Sequence, residues 1–126
     1  MMIGAPKLTV TTVNIGASDP GELAEFYQRL LGWEIGVREP GWVTLKDPAG
    51  GVGLAFQIES PYIPPVWPAG PGEQQMMMHL EIRVDDLENA VAHATASGAV
   101  LATFQPQENV RVCIDPAGHP FCLWLG

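Results

Sequence analysis

The tetrapeptide Asp47-Pro48-Ala49-Gly50 returns as Asp115-Pro116-Ala117-Gly118, an offset of 68 residues. Other landmarks keep nearly the same step. Asp19 opens a helical pattern that ends at Gly32, and Asp86 opens a second that ends at Gly98, at offsets of 67 and 66. The strand-like Thr12-Val13-Asn14-Ile15 matches His79-Leu80-Glu81-Ile82 at 67. One shared tetrapeptide is weak, but an ordered set at one offset marks the duplication of a single supersecondary unit.

Each unit reads as a strand, a helix and then further strands. In the first helix Leu23, Phe26, Tyr27, Leu30 and Leu31 share one face. Asp19 suits the N-cap, Pro20 the first helical position, Glu22 a capping box and Gly32 the stop. In the second, Leu87, Ala90, Val91 and Ala94 form the stripe before Gly98. Strand-like runs follow at Trp42 to Asp47, Val52 to Ile58, Val110 to Asp115 and Phe121 to Leu125, with each Asp-Pro-Ala-Gly as a turn. The expected fold is α+β: two βαβββ modules in tandem forming a cupped, eight-stranded mixed sheet with helices outside. Module one spans about 8–59, a Pro-rich connector about 60–75 and module two about 76–126, within one domain of 126 residues. The connector holds five prolines with Tyr62 and Trp67 among them, which excludes a helix or central strand. Trp67 there is either packed on a stiff linker or laid over a cleft mouth.

A net charge of −8, spread along the chain, repels phosphate backbones and anionic lipid, so neither nucleic acid nor a membrane is an expected partner. No apolar run approaches the roughly 20 residues of a membrane helix. Met1 to Lys7 lacks a signal-peptide layout, and Cys113 and Cys122 occupy apolar strand-like runs, so a reduced, cytoplasmic protein is expected. Spacing alone does not exclude a disulfide between the two.

Side chains alternate along a strand. Leu80, Ile82 and Val84 belong under the helices, which turns His79, Glu81 and Arg83 the other way; the repeat adds Thr12 and Asn14 to them. The offset of 68 equates Cys122 with Leu54 and Trp124 with Phe56, placing all four on this outward face. Apolar walls with a few polar groups suit a small-molecule site. The plainer alternative is a solvated sheet face, against which the aromatics weigh.

Paired βαβββ units, the Phe26-Tyr27-x-x-Leu30-Leu31-Gly32 helix end and the Asp-Pro-x-Gly turn before the last strand resemble the vicinal oxygen chelate superfamily, the glyoxalase, bleomycin-resistance and ring-cleaving dioxygenase group. Trp67-Pro68, Gln74-Gln75, His79-Leu80-Glu81 and Asp115 to Cys122 look like its glyoxalase-like subgroup common in actinobacteria. The resemblance implies this fold, a homodimer with sheets or units exchanged across a two-fold axis, and, in metal-using members, ligands at four positions. Those positions read Thr12, Leu54, His79 and Cys122, of which only His79 matches. No metal and no cofactor is therefore expected, although a shifted register would bring in Gln57 or Glu59.

The leading expectation is a metal-independent protein that binds a small organic molecule through Thr12, Asn14, Leu54, Phe56, Trp67, Arg83, Cys122 and Trp124. The second is a metal-dependent lyase, isomerase or dioxygenase with a displaced ligand set. The third is a metal-free enzyme using His79 with Glu81. Cys122 as a nucleophile is disfavoured, since an apolar strand raises a thiol pKa. Asp85, Asp86 and Glu88 are read as helix capping, and His93 and His119 as surface and turn residues.

Overall fold

The computed structural model describes residues 4–126, so the first three residues of the N-terminal reading lie outside it. The chain runs β1 (Thr12–Ala17), α1 (Pro20–Leu31), β2 (Glu34–Glu39), β3 (Trp42–Lys46), β4 (Gly53–Ile58), β5 (Glu81–Val84), α2 (Leu87–Ser97), β6 (Val100–Leu101), β7 (Val110–Ile114) and β8 (Pro120–Leu125). The α+β class and the tandem modules expected from the repeat are present. The eight strands form two four-stranded mixed sheets with the same internal order, β1-β4-β3-β2 and β5-β8-β7-β6. In each, the first strand pairs parallel to the last, and the helix makes the crossover. No helix among the described residues is long and apolar enough to cross a membrane.

Both helices start and stop where their caps dictate. The Asp19 carboxylate accepts from the Glu22 backbone N–H at 3.0 Å, and Gly32 closes α1 in the left-handed region. Asp86 accepts from Asn89 N–H in the same way at 3.0 Å. Leu23, Phe26 and Tyr27 of α1 are buried against Val43, Leu45, Leu54 and Phe56 of their own sheet. The same cluster takes in Phe121 and Leu123 of β8, so one core serves both modules. Tyr27 stacks on Phe56 at 5.6 Å and meets Phe121 edge-on at 6.1 Å.

The helices also satisfy each other's ends. Arg29 Nε of α1 donates to the Ser97 carbonyl of α2 at 2.9 Å, and His93 Nε2 of α2 lies 2.9 Å from the Leu30 carbonyl of α1. These are among the last carbonyls of each helix, which lack intrahelical partners. His93 is exposed, as expected, but it bridges the modules.

The register corrects one inference drawn from the tetrapeptide. Asn14 pairs with Ala55 in β1–β4, and its counterpart Glu81 pairs with Cys122 in β5–β8. Cys122 therefore corresponds to Ala55, and Trp124 to Gln57, an offset of 67. The extra residue lies in the first β-turn: Leu45 pairs with Leu54, whereas its counterpart Cys113 pairs with Phe121. A one-residue slip exchanges the two faces of a strand. Leu54 and Phe56, expected on the outward face, are instead 5% and 0% exposed beneath α1.

Candidate functional site

β1 and β5 are edge strands of their respective sheets. Between β1 and the residues leading into β5 lies a cavity of about 350 Å³. Val13 and Ile15 of β1 form one side, Met76 to Leu80 the other, and Tyr62, Ile63 and Pro65 of the connector cover it. Tyr27 reaches it from α1, and His119 and Pro120 reach it from the start of β8.

The connector is anchored to the second Asp-Pro-Ala-Gly turn. Tyr62 donates its hydroxyl to the Ala117 carbonyl at 2.7 Å. Gly118, at φ +94°, accommodates Pro64 so closely that a β-carbon there would come within 3.0 Å of it. His119 Nε2 stands 2.7 Å from the Gly16 carbonyl and 3.1 Å from the Tyr62 hydroxyl. A carbonyl can only accept, so Nε2 carries a proton and donates it to Gly16. His119 was expected as a plain turn residue; it is half-buried, tying β1, the connector and β8 together.

Beneath this joint Asp115 is 4% exposed. Its Oδ2 accepts from the Tyr27 hydroxyl at 2.6 Å, and its Oδ1 accepts from the Ala117 and His119 backbone N–H groups at 3.0 and 2.9 Å. Burial raises the carboxyl above its ordinary range, while the Tyr27 hydrogen bond, the nearby His119 and the two backbone donors pull it down. Three donors converging on one carboxyl group fit the ionised form. Burial, reinforced by Asp115, lifts the Tyr27 hydroxyl well above its ordinary range and Tyr62 to about 12.

On the face turned away from the helices, His79 Nε2 meets Glu81 Oε2 at 2.5 Å, and the potential donor atoms of His79, Glu81 and Cys122 lie within 4.8 Å of one another. Burial pushes the Cys122 thiol up to about 12, with a further contribution from the neighbouring Glu81 carboxylate. Burial and the neighbouring carboxylate both disfavour the thiolate, so the arrangement does not make Cys122 a nucleophile activated by His79. Cys113 and Cys122 are free; the first pairs with Phe121 on the helix side and the second with Val112 on the opposite face. Module one carries amides in the corresponding region: Asn14 Nδ2 donates to Gln57 Oε1 at 2.9 Å, and Gln57 Nε2 to Glu59 at 3.2 Å.

The sequence-predicted residues divide accordingly. Asn14 and His79 line the cavity. Glu81 and Cys122 stand beside His79, and Thr12 shares their outward direction by alternation from Asn14. Arg83 pairs with Trp124 farther along β5–β8, and Arg83 borders a separate depression with Asp85, Asp86 and Gly126. Leu54 and Phe56 belong to the core. Trp67 does not cover the cavity; it stacks on Phe104 at 5.5 Å. Sequence reasoning missed Tyr62, His119 and the Met76–Met78 run as cavity residues. The tyrosine's position among the connector prolines, beside the chosen Trp67, was the one available signal.

A family model described as a glyoxalase-like domain matches residues 11–124. Among solved structures, a glyoxalase/bleomycin resistance protein/dioxygenase family enzyme from Burkholderia phytofirmans PsJN is similar at a TM-score of 0.71 and 21% identity, over 94% of this chain and 98% of that one. A possible glyoxalase from Bacillus cereus gives 0.67 at 13% identity, over 94% and 99% of the two chains. A lactoylglutathione lyase from Agrobacterium tumefaciens gives 0.61 at 15%, over 97% and 96%. No curated protein matches the sequence. At these identities the structures establish a shared fold, which hosts several chemistries.

Proposed function

This chain belongs to the glyoxalase-like domain family, and from that premise we propose that it binds a small organic molecule in the cavity between β1 and residues 76–80, without a bound metal. The carrying observation is the cavity itself: about 350 Å³, walled mainly by apolar side chains, with Asn14, His79 and His119 among its few polar groups. That size and composition are those of a small-ligand site. The binding wall differs from the aromatic one expected from sequence, with Tyr27 and Tyr62 in place of Phe56, Trp67 and Trp124.

Metal independence rests on the donor set. With the register corrected, the four positions that metal-using relatives fill hold Thr12, Ala55, His79 and Cys122. Module one then supplies no imidazole or carboxylate there, so the family's pattern does not fit. A second reading, a metal-dependent lyase, isomerase or dioxygenase, is favoured by one observation: Glu81 joins His79 and Cys122 as a displaced three-donor group. Stoichiometric zinc, iron, nickel or manganese in the purified protein, lost on His79→Ala, would put that reading first. A metal-free reaction using His79 and Glu81 belongs to the same proposal, as do a cytoplasmic location and a homodimer.

The test is a ligand screen by thermal shift, repeated on two variants. Ile63 is on the connector and 67% exposed, so Ile63→Trp narrows the cavity mouth without disturbing the core. Stabilising compounds should lose their effect in Ile63→Trp and change rank order in His79→Ala, while both unliganded variants melt near the parent. Compounds that stabilise all three proteins alike bind elsewhere, and the proposal fails.

A further inference from the structure

We infer that the ligand of this cavity is an uncharged, ring-containing compound, and that the site discriminates against anions and cations alike. The inference rests on the proposed binding reading and names its ligand class. None of the described residues lining the cavity is Lys, Arg, Asp or Glu. Besides the hydroxyls of Tyr27 and Tyr62, the polar side chains there are amides and imidazoles: Asn14, Gln74, Gln75, His79 and His119. His79 has its own counter-charge in Glu81 at 2.5 Å, so even a protonated imidazole there is already paired.

A charged ligand entering such a site loses its hydration and gains no opposite charge, the costliest kind of burial. An anion is opposed further by the −8 net charge of the whole protein. A cation is drawn toward the protein by that field but finds little within the cavity to replace its water. Tyr27 is already stacked on Phe56 and meets Phe26 edge-on at 4.8 Å. Its hydroxyl is committed to Asp115. Of the two tyrosines lining the cavity, Tyr62 remains for a cation–π contact, and its hydroxyl is committed to Ala117.

The preference for a ring comes from the wall itself. Met76, Met77 and Met78 run consecutively along one side, the last two 78% and 77% exposed at the mouth. Thioethers are polarisable, contact aromatic rings favourably and adapt to shape. Opposite them are branched Val13 and Ile15, which present a stiff apolar surface.

A matched set of probes separates the terms: 1-naphthalenemethanol, 1-naphthoate and 1-naphthylmethylammonium carry one ring system and three charge states. Calorimetric titration at pH 7 should find the neutral alcohol bound at least about tenfold more tightly than either ion, and its binding abolished by Ile63→Trp. If an ion binds as tightly as the alcohol or more so, and Ile63→Trp still abolishes it, the charge discrimination is overturned while the cavity remains a binding site. If none of the probes binds, or Ile63→Trp leaves binding unchanged, the cavity reading itself falls and takes this inference with it.

Discussion

Replacing Tyr27 with Phe removes one oxygen from the most deeply buried polar contact between the modules. The ring stays, with its packing on Phe26, Phe56 and Phe121. Asp115 keeps its two backbone donors but loses the 2.6 Å hydroxyl bond. A short hydrogen bond to a carboxylate contributes about 1.5–3 kcal/mol, so the cost at pH 7 is about 2 kcal/mol. With an unfolding entropy of about 2.1 cal/mol/K per residue over 126 residues, this lowers Tm by roughly 8 °C. The pH dependence gives a second readout. Burial holds the folded-state pKa of Asp115 above its unfolded value, so its stability contribution is complete below about pH 4 and lost as pH rises through the folded pKa. Removing the Tyr27 donor raises the folded pKa further and enlarges that loss. The difference between parent and Tyr27→Phe should therefore be larger at pH 7 than at pH 4, as followed by circular dichroism melts. A variant within about 1 °C of the parent at both pH values, or one harmed more at pH 4, refutes the assignment of Tyr27 as donor to an ionised Asp115.

Two further outcomes check the register and the thiol environment. Phe56→Ala should destabilise by about 3–5 kcal/mol and Gln57→Ala by no more than about 1 kcal/mol in urea titrations, because Phe56 is 0% exposed and Gln57 lies on the exposed face; the reverse order would restore the 68-residue pairing of the last strands. Cys122, with its thiol pushed up to about 12, should react with iodoacetamide at pH 8 at least about a hundredfold more slowly than in the urea-unfolded chain, read by mass spectrometry; equal rates would mean that the Glu81 and burial effects are absent.

Local and repetitive features were legible from sequence by itself. Caps at Asp19 and Asp86, glycine stops at Gly32 and Gly98, and Asp-Pro-Ala-Gly turns act through neighbours a few residues away, so they fixed both helices to within a residue. The repeat then gave the α+β architecture, because two copies of one unit bury the same faces. Alternation along β5 and β8 correctly grouped Glu81, Arg83, Cys122 and Trp124 on one face. Alternation carried through a turn failed at Leu54 and Phe56, since one extra residue between Leu45 and Leu54 inverts every side chain after it and only the ladder of hydrogen bonds counts that residue. The cavity was beyond sequence for a different reason. It is the gap between two sheet edges, and its walls come from residues with other apparent duties: Val13 and Ile15 as core, Tyr62 as linker, His119 as turn. Which edges face each other depends on how the two modules pack, and that was decided by long-range contacts such as Tyr27 with Asp115 and His119 with Gly16.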